Sequence, residues 1–200
     1  FFTDQEHVNR FVADTAKVPL VTPTYVHYGP QLLFSSFLLD SLSLRDGTAI
    51  GRLNAIQADG RKAVEQVFEQ ESKTRLSFDV IFSNFISYVF FHSQHGSSLP
   101  TAWNHRAGIR IPKIQPYFTF TDPSGEFAGT LAPYSFAAID LQQELSSGAV
   151  IQVERQYSTT PSPPPDSCAA KASVLWKPVH SKRIAVYSVG CEPGEKREEV

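Results

Sequence analysis

The sequence LSFDVIFSNFISYVFFHSQH, residues 76–95, is the most apolar run of the chain, and its reading decides the fold. Its first half alternates, with Leu76, Phe78, Val80 and Phe82 on one side and Ser77, Asp79 and Ser83 on the other, the period-two pattern of a strand with one buried face. From Phe85 to Phe91 only Ser87 is fully polar and Tyr88 is amphipathic, which calls for cover on both faces. Ile81, Phe85, Tyr88 and Val89 also share a helical face. β-Branched and aromatic residues interspersed with serine decide the reading for a strand.

Outward from this run, the turn chemistry points the same way. Asp46-Gly47 and Asp59-Gly60 are each flanked by stretches of strand length, a hairpin signal given twice. Residues 31–91 then form a four-stranded meander, although Ala63, Val64, Val67 and Phe68 place a helical stripe in residues 62–70. Asp122-Pro123-Ser124-Gly125 reads as a type I turn joining a strand at 117–121 to a return strand at 126–131. Residues 149–157 alternate, and 134–141 read as a strand or a short helix. Before all of this, Thr3 and Glu6 form a capping box for a short amphipathic helix over residues 4–14.

The expected fold is therefore all-β, an antiparallel barrel of about eight strands with a short N-terminal helix. The alternative is α+β, with a helix near 61–71 packed on an antiparallel sheet. A chain of 200 residues with 42% hydrophobic content suits a single domain over 1–200. Within it, 1–24 are the helix and an extended arm, 25–157 the barrel core, 158–167 a Pro-rich loop, 168–191 a hairpin and 192–200 a charged tail. Cys168 and Cys191 stand at the two ends of that hairpin, whose strands are read at 173–179 and 183–189, so a disulfide between them is expected, and with it a secreted or other oxidising location.

Eighteen basic and twenty acidic residues, with no dense basic stripe, carry no electrostatic footprint for nucleic acid. Asp79 and Asn84 interrupt the longest apolar run, so no membrane span is expected. The chain opens on Phe-Phe and contains no Met, which reads as a processed or trimmed product.

PYFTFTDPSGEFAG, residues 116–129, resembles the hairpin of the allene oxide cyclase and dirigent-like barrels, in which a strand leads into Ser-Gly-x-Phe-x-Gly; here these are Ser124, Gly125, Phe127 and Gly129. The resemblance implies an eight-stranded antiparallel barrel, often oligomeric, that guides cyclisation of a hydrophobic intermediate without a redox cofactor. It places no catalytic residue on this sequence.

Candidate chemistry rests on polar groups in apolar surroundings. Arg155 and Tyr157 continue the apolar face of Ala149, Ile151 and Val153 and suit anion or carbonyl binding at a barrel mouth. His92 and Asp79 join Arg155 and Tyr157 as candidate catalytic residues and Arg52 is a candidate ligand contact; Asp79 and Arg52 are each a charge within an apolar run, and the alternative for both is a structural ion pair. Tyr25, His27 and Tyr28 are expected at a pocket mouth, with Phe78, Phe82, Tyr88 and Phe90 around a ligand. On a strand, His92 and His95 point to opposite faces, so no metal site is expected. Two functions follow. One is binding of a hydrophobic small molecule in the barrel, by a carrier or a cofactor-independent cyclase or isomerase that forms a homo-oligomer. The other is a structural or interaction subunit of a larger assembly, without catalytic activity.

Overall fold

The computed structural model describes residues 3–20, 28–42, 48–56, 60–96, 109–121, 129, 131–132, 134–141, 170–174 and 183–188, the last two as backbone. Among them are five helices, α1 (Asp4–Ala13), α2 (Tyr28–Ser41), α3 (Thr48–Ala55), α4 (Gly60–Ser72) and α5 (Phe78–His95). Four strands follow, β1 (Phe118–Phe120), β2 (Ser135–Leu141), β3 (Ala170–Val174) and β4 (Arg183–Ser188). The chain divides into two compact units, one of residues 1–14 and 21–114, the other of 15–20 and 115–200.

The deciding stretch is a helix, and the barrel expectation is overturned with it. In α5 the buried residues are Phe78, Ile81, Phe82, Phe85, Ile86, Val89, Phe90 and Ser93, a repeat of three and four that only a helix turns to one side. Val80, which a strand would bury together with Phe78 and Phe82, is 44% exposed. The alternation over 76–83 is too short to compete with an 18-residue helical stripe.

Both ends of α5 are fixed by identifiable groups. Ser77 occupies the N-cap position without a side-chain cap bond, and the carboxylate of Glu65 on α4 instead accepts a 2.5 Å hydrogen bond from the Phe78 N–H. A negative group there meets both an orphan donor and the positive end of the helix. At the other end Gly96 takes a left-handed conformation, φ 59°, which glycine adopts without Cβ strain.

α5 packs against α2 and α4. Rings interlock across these contacts: Phe34 and Phe37 of α2 lie 5.1 and 5.8 Å from Phe85, and Phe37 lies 6.3 Å from Phe68 of α4. α2 itself is buried almost all round, from Leu32 to Leu39, and Ser36 is accommodated there by donating to the Leu32 carbonyl at 2.9 Å. α4 buries Ala63, Val64, Val67 and Phe68, so its helical stripe prevails over the hairpin expected from Asp59-Gly60. Asp46-Gly47 lies outside the described residues; beyond it the chain is helix α3, where a strand was expected. Leu39 of α2 and Val67 of α4 form a further small cluster with Leu42, Leu53 and Ile56.

α1 begins with the expected capping box, in which Thr3 and Glu6 satisfy each other's backbone donors. It meets α2 at Gly29, where an added Cβ would fall 2.8 Å from the His7 carbonyl carbon and closer still to its oxygen. Only glycine permits that approach. Gln5 fastens a second segment to α1, accepting from the Arg110 N–H at 2.9 Å and donating to the Arg110 carbonyl at 2.8 Å. Ile109, Ile111 and Ile114 are buried alongside.

Among the described residues the second unit carries a four-stranded sheet in the order β1-β2-β4-β3. β1 runs parallel to β2, with Phe118 opposite Ile139, and β4 is antiparallel to both β2 and β3. A closed antiparallel barrel has no such parallel pair, which removes the fold implied by residues 116–129. Of the quoted hairpin positions only Gly129 is described. β3 and β4 do pair as a hairpin, Ala170 opposite Ser188. Cys168 and Cys191, the two cysteines of the sequence, lie outside the described residues. Segment 15–20 joins this unit through its backbone: Thr15 accepts from the Phe136 N–H at 3.2 Å, and the Ala16 carbonyl accepts from the Ala132 N–H at 2.9 Å and the Ser135 hydroxyl at 2.8 Å.

Candidate functional site

The helical reading of residues 76–95 places Tyr88, Phe91, His92 and His95 on one side of the last two turns of α5, at spacings of three and four. The Tyr88 and His92 rings lie 4.3 Å apart. Phe91 stands edge-on to His92 at 5.5 Å and tilts against His95 at 4.3 Å. Phe37 of α2 closes the inner side, edge-on to Tyr88 at 5.6 Å, and Asp40 from the last turn of α2 supplies the local negative charge. His95 Nδ1 is 2.8 Å from the Phe91 carbonyl, an acceptor only, so Nδ1 carries a hydrogen and donates it.

Burial sets the charge state of this group. It pushes the Tyr88 phenol well above its ordinary pKa, and the charge of Asp40 adds to the effect. The same desolvation holds His92 below the usual imidazole value; Asp40 opposes that shift and His95 reinforces it. Both side chains are neutral at neutral pH. The Tyr88 hydroxyl is buried with no hydrogen-bond partner among the described residues, a cost of about 1–3 kcal/mol unless something bonds to it.

The remaining predicted site residues do not converge here. Phe78, Phe82 and Phe90 are buried on the core side of α5; Phe78 and Phe82 are stacked at 6.5 Å. Asp79 sits half-buried in the first turn of α5, away from His92 by more than three turns of helix. Arg52 of α3 pairs with Glu71 of α4, a tie between two helices. Tyr28 opens α2, exposed, with His7 edge-on at 5.7 Å. Tyr25, His27, Arg155 and Tyr157 lie outside the described residues.

Sequence reasoning missed Asp40, Phe37 and Glu65, which reach α5 from other helices, and it placed His92 and His95 on opposite faces because it took the stretch as a strand. Gly96 was the available signal, since glycine after a His-containing last turn is a helix stop. No group of three or more His, Cys, Asp or Glu that suits a metal ion occurs among the described residues. None of the described helices is long and apolar enough to cross a membrane. No protein-family model, curated protein or solved structure matches the chain, so the reading of the site rests on its geometry.

Proposed function

We propose that this chain is a structural or interaction subunit that works through the surface of its helical unit. The observation that carries this reading is the use made of the aromatic residues. Phe34, Phe37, Phe68, Phe78, Phe82 and Phe85 lie against one another, with centroids 5.1 to 6.5 Å apart, and so fill the space that a ligand cavity would need. Phe91, by contrast, is 59% exposed at the end of the same helix. Aromatic side chains, Phe among them, are enriched in protein interfaces relative to the rest of the surface.

A second reading keeps the hydrophobic small molecule, as cargo or as the substrate of a cofactor-independent isomerase. Its support is the buried Tyr88 hydroxyl, which a ligand carbonyl would satisfy. Native mass spectrometry of freshly purified protein separates the two. A mass equal to the polypeptide alone, with no thermal shift from a panel of apolar carbonyl compounds, is expected. A stoichiometric small molecule lost on Tyr88→Phe would replace the first reading with the second.

A further inference from the structure

The outer side of α5 is organised more closely than a solvated face requires. Val80, Asn84, Ser87, Phe91 and His95 follow one another at helical spacing; Val80 and Phe91 are 44% and 59% exposed, and none of the five is an acid, a lysine or an arginine. Ser87 is already satisfied by its bond to the Ser83 carbonyl at 3.1 Å, so covering it strands no donor. The order from Val80 to Phe91 is apolar, polar, polar, apolar, and it reads the same from either end.

A strip that is its own reverse is what a twofold axis requires, because each patch must fit a second copy of itself. We propose that this strip is an interface between two copies of the chain, with their α5 helices antiparallel about an axis between Asn84 and Ser87. Phe91 of each copy then covers Val80 of the other, and Asn84 faces Ser87. The inference rests on the interaction-subunit reading and names its partner. With no acid, lysine or arginine among Val80, Asn84, Ser87 and Phe91, nothing at these four positions selects an acidic or basic partner instead. One helical face is smaller than the roughly 800 Å² per partner of a stable interface, so the pairing is reversible and depends on concentration.

The register makes the test specific. Ser87→Cys or Asn84→Cys places the two equivalent α-carbons about 4–5 Å apart along the helices. Phe91→Cys or Val80→Cys alone leaves them about 16 Å apart, beyond the roughly 7 Å that a disulfide spans. Under mild oxidation Ser87→Cys is expected to cross-link with itself, while Phe91→Cys and Val80→Cys cross-link only when mixed. Assigning cross-linked peptides by mass keeps bonds through Cys168 or Cys191 apart. Sedimentation over a concentration series is expected to show a monomer–dimer equilibrium that Phe91→Asp abolishes, with its thermal melt unchanged at concentrations where the wild type is monomeric. A monomer at every concentration, a dimer that survives Phe91→Asp, or self-linking of Phe91→Cys without mixed linking would overturn the proposal. Native mass spectra of the same samples tell the two failures apart: a ligand-free monomer removes only the dimer, whereas a ligand-loaded monomer removes the interaction reading as well.

Discussion

The two halves of α5 differ in what they bury. From Phe78 to Ile86 the inward side is hydrocarbon and ring, and the N-terminus is closed by Glu65. From Ser87 to His95 the helix carries Tyr88, His92 and His95, with Asp40 nearby and Phe91 turned outward. The first half therefore contributes chiefly apolar packing, and the second, through His92, couples the helix to protons and to whatever meets its surface. A single helix serves core and surface because 3.6 residues per turn keep the two sets of side chains apart.

Breaking the first half should have the largest effect. Phe82→Ala removes a fully buried ring between Phe78 and Phe85 and should cost about 3–5 kcal/mol by denaturant titration. Gly29→Ala comes next. Its methyl would meet backbone, which cannot rotate aside, so separating α1 from α2 should cost about 1–3 kcal/mol. A melt unchanged by Gly29→Ala would show that the α1–α2 approach is looser than described.

Glu65→Ala takes away the acceptor of the Phe78 N–H and should cost about 1 kcal/mol, the usual worth of an N-cap acceptor. Because Ser77 makes no side-chain cap bond, it offers no ready substitute. A loss well under that value would mean that Ser77 rotates to take over the cap.

The second half should respond to acid. The folded-state pKa of His92 lies below the ordinary 6.5, so as pH falls through about 6.5 the unfolded chain takes up a proton that the folded chain resists. His92 thus opposes folding progressively from about pH 6.5 down to its folded pKa, while above that window it contributes no pH dependence. His95, Asp40 and Asp79 are its charged neighbours or helix mates, and the comparison must be made against His92→Gln, which should flatten that part of the melting-temperature profile and leave the loss at lower pH. An unaltered slope in His92→Gln would assign the effect elsewhere. The smallest effect belongs to Phe91→Ala, expected within about 0.5 kcal/mol of wild type because the ring is largely exposed.

Parts of this arrangement were legible in the residues. Thr3 and Glu6 announce α1 because a capping box is a local reciprocal bond, complete within four positions. Ala63, Val64, Val67 and Phe68 displayed the stripe of α4, but the adjoining Asp59-Gly60 argued for a turn between strands. Tertiary burial decided in favour of the stripe. In α5 the brief alternation of Leu76, Phe78, Val80 and Phe82 hid the longer repeat, and with it the helical side shared by Tyr88 and His92. The parallel pairing of β1 with β2, and the arrival of Asp40 and Glu65 from other helices, depend on contacts far apart in sequence that no local pattern encodes.

All of these comparisons depend on residues 78–95 being one continuous helix. Backbone chemical shifts of the isotopically labelled protein measure this residue by residue. The account predicts α-carbon shifts displaced to the helical side without interruption from Phe78 to His95, ending at Gly96. Shifts displaced to the strand side across Phe78 to Phe91 would contradict it.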